Sequence, residues 1–166
     1  MENIDFELEN AESFGGIFDL VKKCVYDAIG RSRAGLMLGL SPLGFAERGF
    51  IGAYHQLGSN LIVLNQNLLE KIREEKPELL KYHVFHLLLH EYLHSLGVVD
   101  ENTTRALAEI VTEKAFGPDH ALTRIAKRFE EYVPGLKHSD PGYRPPEEAY
   151  VTLVDGFEKE DTGYIG

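Results

Sequence analysis

Residues 90–101 read HEYLHSLGVVDE. Two histidines stand four apart, which in a helix places them on one side, one turn from each other, with Glu91 roughly 100° further round. Two neutral imidazoles so spaced can both reach one zinc ion, and Glu91 can face a water on that ion without binding it. Gly97 then stops the helix, and acidic residues follow.

Upstream, the same helical stretch runs KYHVFHLLLHEYLHSLG and adds His83 and His86 to the stripe of His90 and His94. Its other faces carry Val84, Phe85, Leu87, Leu88, Leu89, Leu93 and Leu96. A helix apolar almost all round is a buried helix. Imidazoles taken out of water need partners, and a metal is one. His83 and His86 also read as satisfied or half-exposed histidines near the helix entry. A His86–His90 metal pair ranks lower, because it would leave Glu91 without its geometry.

His90-Glu91-Tyr92-Leu93-His94 fits the zinc-peptidase helix pattern. On these residues the chain resembles the zincin metallopeptidases. The resemblance implies a zinc cofactor bound by His90 and His94, Glu91 as general base, and a peptide or protein substrate hydrolysed by a zinc-activated water. It covers residues 34–117. A catalytic zinc takes three protein ligands and keeps one open position, and two acids compete to be the third. His90, Glu91, His94, Gly97 and Asp100 match the aspartate form of the metzincin pattern. That branch carries a methionine turn after the motif, whereas here the methionines are Met1 and Met37. RALAEIVTEKAFG resembles the gluzincin arrangement, which implies Glu109 as ligand and Glu113 as acceptor of a hydrogen bond from His90. Glu109 is preferred and Asp100 is the runner-up. Each has an ordinary alternative: Asp100 as the N-cap of the next helix, Glu109 as a partner of Arg105.

The resemblance also implies an exposed edge strand above the zinc that pairs with an extended peptide, and GAYHQ, with Tyr54 and His55, is the candidate. His138, Tyr143 and Tyr150 lie in the right region for a transition-state donor but read as surface or packing residues, and stay outside the catalytic set.

Further out, apolar spacing predicts a helix from Ser13 to Ile29, stopped by Gly30. A buried strand follows in AGLMLGLSPLG, then a hairpin with arms near 51–56 and LIVLN. QNLLEKIREE reads as a short helix, and Pro77 sits in the first turn of the histidine helix. Helices are expected over 103–116 and, capped by Asp119, over HALTRIAKRFEEYV. AYVTLVDGF reads as a last strand, and the segment from Glu158 as a polar tail. With no internal repeat or linker, the expectation is one α+β domain over 1–166.

A net charge of −10 opposes binding to a phosphate backbone, so no nucleic acid partner is expected. No apolar run approaches the roughly 20 residues that span a bilayer. The acidic N-terminus lacks a secretory pattern, and the single cysteine, Cys24, fits a reducing compartment, so a cytoplasmic location is expected. Two other readings stand beside a peptidase. One is a latent or non-catalytic zinc-binding protein, its C-terminal segment lying over the site; the other is a helical interaction domain with a fortuitous motif.

Overall fold

In the computed structural model, which describes residues 3–139 and 142–158, the chain opens on a helix that the sequence reading does not contain. Helix α1 (Ile4–Asn10) starts because the Asn3 side chain accepts from the amides of Asp5 and Phe6, and it buries Leu8. Helix α2 (Phe14–Ile29) is the expected one. Ser13 Oγ accepts from the Gly16 amide at 3.0 Å, and Gly30, in the left-handed region, closes it.

Strand β1 (Met37–Ser41) follows, then β2 (Phe50–Ile51), β3 (Ala53–His55) and β4 (Leu61–Asn65). The expected hairpin is present as β3 and β4, with Ala53 opposite Leu64 and His55 opposite Ile62. Its first arm is broken at Gly52. A Cβ there would stand 2.7 Å from Leu136 Cδ1 and 3.1 Å from Leu87 Cδ2, so a larger residue would push on packed leucine side chains where the strand changes partners. Helix α3 (Gln66–Glu75) and a short 3-10 turn with Pro77 at its start lead into α4 (Leu80–Ser95), the histidine helix.

Helix α5 (Glu101–Phe116) begins two residues earlier than expected, and α6 (Ala121–Tyr132) is capped by His120 rather than Asp119. His120 Nδ1 accepts from the Leu122 amide at 3.0 Å, and its Nε2 lies 3.1 Å from Asp5 Oδ1. Two short strands, β5 (Leu136–Lys137) and β6 (Thr152–Leu153), are the last elements of the described residues.

The main sheet has the order β3–β4–β1–β6, with β1 and β4 parallel and the outer strands antiparallel to their neighbours. Strand β2 leaves it to pair in parallel with β5. Helix α4 packs on β3 and β4 and is covered by α2, α5 and α6, so its side chains are buried without interruption from His83 to Ser95. This is the all-round apolar helix that the sequence implies. The architecture is mixed α+β, with six helices and a small mixed sheet among the described residues.

Glu158, the last described residue, is tied down. Its carboxylate accepts from the amides of Gly35 and Leu36 at 2.6 and 2.7 Å and from Lys22 at 2.8 Å, and the adjacent Phe157 stacks on Phe18. Glu158 is thus an anchor of β1 and not the first residue of a loose tail; the rest of that expected tail, residues 159–166, lies outside the described residues. Among the described residues no helix is long and apolar enough to cross a membrane.

Candidate metal centre

The site begins with how α4 ends. Gly97, at φ 101°, donates to the His94 carbonyl at 3.0 Å, and Val98 donates to the Leu93 carbonyl at 3.2 Å. This pair of bonds is a Schellman closure, and it reverses the chain immediately after the second histidine. Arg33 Nη1 donates to the Ser95 carbonyl at 2.8 Å and the Arg31 guanidinium donates to that of Leu96, so the free carbonyls of the last turn are satisfied. The reversal carries the Val98 carbonyl back over the helix end, 2.7 Å from His94 Nδ1. His94 therefore keeps its proton on Nδ1, and its Nε2 presents a lone pair inward.

Asp100 and Glu101 divide the work at the start of α5. Asp100 is the N-cap: its Oδ2 accepts from the amide and the hydroxyl of Thr103, both at 2.8 Å. Glu101, one residue on, is left free, and the helix N-terminus favours its negative charge. Its Oε2 stands 2.9 Å from His90 Nε2 and its Oε1 3.1 Å from His94 Nε2. Ligand atoms of His90, His94 and Glu101 all lie within 4.8 Å of one another, the one such group among the described residues.

These atoms lack ordinary partners. Both nitrogens of His90, both oxygens of Glu91 and Oε2 of Glu101 are buried without a well-directed hydrogen bond. Glu91 is 1% exposed. Burial pushes its carboxyl up to about 8, with Glu101 adding to the rise and His94 opposing it. Burial likewise holds His90 below its ordinary value, against the pull of Glu101. For His94 burial works the same way but is outweighed by Glu101, Glu91 and the Val98 carbonyl, which raise it. Glu101 falls to about 2: burial disfavours its charge, and the two facing imidazoles more than offset that. A His94 lone pair aimed at a carboxylate oxygen needs a positive charge between them. A proton supplies one; a divalent cation supplies one to all three groups at once. Two imidazoles and a carboxylate are a donor set that suits such an ion.

The carboxylate that the fold brings to the histidines is thus Glu101, and neither of the acids weighed from the sequence. Asp100 fills its capping alternative. Glu109 lies two turns along α5, about 12 Å by helical rise, and lines an open groove with Arg105, Glu113 and Lys127. Glu113 pairs with Lys127 at 3.1 Å instead of supporting His90, and Arg105 pairs with Glu130 instead of Glu109. Tyr143 packs on Tyr54 and Tyr150 is exposed. The strand GAYHQ contributes β3, the outermost strand of the main sheet, but Ala53, Tyr54 and His55 are all buried, so it is not the exposed edge expected; a narrow recess lined by His55, Leu57, His94 and Val99 opens beside the site.

One residue set aside from the sequence stands inside the site. His138, just past β5, is 3% exposed in its side chain and stacks on the His90 ring at 3.7 Å and 9°. No local signal marks it, because it comes from a turn-rich segment far along the chain. Set against known protein families, curated proteins and solved structures, the chain finds no match. Its class therefore rests on its own geometry: a mixed α+β chain with a buried His-His-Glu group able to hold a metal ion.

The histidine stripe also predicts acid sensitivity. His83 is buried with no partner on Nδ1, and burial lowers it from its ordinary 6.5 to about 4. Between those values the unfolded chain binds a proton that the folded chain does not, so stability is full above pH 6.5, falls as the pH drops toward 4 and then levels. The loss from His83 alone is about 3 kcal/mol. In denaturant unfolding at pH 7 and pH 4, His83→Leu should shrink the difference between the two pH values by about that amount. An unchanged difference would remove His83 from the acid response.

Proposed function

We propose that the protein is a zinc-dependent hydrolase acting on peptide bonds. The observation that carries this reading is the convergence of His90, His94 and Glu101 beside Glu91, a buried carboxylate with no other partner. With two neutral imidazoles and one carboxylate the metal site keeps a net positive charge and an open fourth position. A zinc ion bound there would polarise a carbonyl and acidify a water.

Glu91 supplies the proton chemistry. Buried beside the donor set with neither oxygen bonded, its carboxylate is placed to take a proton from water and deliver it to a leaving amine. His90 and His94 act as fixed neutral ligands, the second oriented by the Val98 carbonyl.

The test is zinc content and turnover together. Protein purified without added metal should carry, or take up, one zinc per chain that resists dialysis, and should cleave an unstructured protein such as casein. A chelator should abolish cleavage and zinc should restore it. A chain that takes up no zinc sinks the reading. One that holds zinc but cleaves nothing supports a non-catalytic zinc protein instead.

A further inference from the structure

His138 and His86 form a buried pair that the reading above does not use. His86 Nε2 and His138 Nε2 are 3.1 Å apart, and His138 Nδ1 lies 3.7 Å from Glu101 Oε2. Neither His138 Nδ1 nor Glu101 Oε2 has a hydrogen-bond partner. Both imidazoles are nearly inaccessible, His86 at 2% of its surface. The fold goes to some length to put His138 there. Strand β5 is held by the Gly135 carbonyl accepting from Phe50 at 2.9 Å, and a Cβ on Gly135, at φ 88°, would stand 2.4 Å from the Glu47 carbonyl oxygen. Leu136 is buried, and the His138 ring stacks on His90 and meets Phe129 edge-to-face.

We propose that His138, locked by His86, holds the second oxygen of Glu101, so that this carboxylate binds the metal through one oxygen and the fourth metal position stays open. The inference rests on the metal-site reading above. The tautomers follow from the partners. His138 must carry its proton on Nδ1 to donate to Glu101, so its Nε2 accepts, and His86 Nε2–H donates to it. Glu101 has the freedom to complete the bond: its side chain is 30% exposed, and a small rotation closes 3.7 Å to hydrogen-bond range. His138 and His86 are then positioning residues. Without them Glu101 could swing between one and two bound oxygens or out to solvent.

The alternative is that His138 itself binds the metal and closes the site. Geometry favours the first role. His138 is not among the groups whose ligand atoms converge within 4.8 Å, and its ring plane lies parallel to His90 instead of turned toward a common point.

The experiment is zinc affinity of the full chain by competition with a chelating indicator, for the parent, His138→Phe and His138→Asn, with zinc-edge X-ray absorption on the parent. Phenylalanine keeps the stacked ring but cannot donate, and should weaken zinc binding by about 10 to 100-fold. Asparagine loses the ring but keeps an N–H near the Nδ1 position, and should recover most of the affinity. X-ray absorption should count two imidazoles. Three imidazoles, a phenylalanine variant as tight as the parent, or two variants equally weakened would each overturn the proposal while leaving the metal site intact. A parent that binds no zinc would overturn the proposal and the metal reading together. The absorption measurement needs no variant and stands even if His138→Phe does not fold.

Discussion

Glu91→Gln should leave zinc bound and remove hydrolysis, lowering kcat by roughly 10² to 10⁴-fold, the range of a positioned general base. Glutamine has nearly the same shape, and its amide can still face the site, so packing around α4 is little disturbed. What it cannot do is take a proton. Glu91 is buried with both oxygens unpartnered, and a carboxylate kept so far from water is costly unless it serves a cation or a reacting group. The informative result is the separation of two readouts, zinc per chain unchanged and turnover lost. A glutamine variant that cleaves as well as the parent would remove Glu91 from the chemistry.

The second large effect concerns Glu101. Replacing it by alanine should weaken zinc binding by more than the roughly 100-fold at the upper end for residues that merely orient a ligand, since it removes one of three direct donors and leaves His90 and His94 facing each other alone. Glu109→Ala should bind zinc like the parent, because Glu109 lines a groove on α5 away from the histidines. Asp100→Ala falls between. Its carboxylate caps α5 through Thr103, so its loss frays the turn that presents Glu101 without taking away a donor. Measured side by side, the three variants order as Glu101, Asp100, Glu109 from weakest binding to strongest. Loss of zinc from Glu109→Ala with retention in Glu101→Ala would reverse the assignment.

The elements that positional signals define were legible in the sequence. Ser13 and Gly30 bracket α2, Pro77 opens the approach to α4, Gly97 closes it, and the β-branched run at 61–65 is a strand. His90, Glu91 and His94 were legible as a group because helical spacing is local and rigid. The third donor, the Glu101 carboxylate, was not, and the reason is a matter of one residue. Reading Asp100 as the cap leaves the next acid, Glu101, at the first helical position with its side chain free, yet the expected start of the helix at Thr103 placed both acids in a loop. The signal was present in the doublet Asp100-Glu101. Helix α1 went unread because it is short and its apolar residues Ile4, Phe6 and Leu8 alternate instead of recurring at helical spacing. Strand β5 and His138 were illegible for a different reason: two residues of strand carry no periodicity, and their approach depends on Gly135, where the Glu47 and Ala46 carbonyls lie too close for a side chain.

The closure at Gly97 and Val98 has a bearing on how the centre assembles. All three candidate ligands lie within residues 90–101, so a metal ion bound to them closes a short loop already bent by hydrogen bonds, and the chain entropy lost in forming it is small. On the proposed reading, metal capture would be a local event at the corner between two helices. The long-range tie is His138, which arrives only when β5 docks on β2. The three donors are therefore neighbours in sequence, whereas His138 reaches them only through the pairing of β5 with β2.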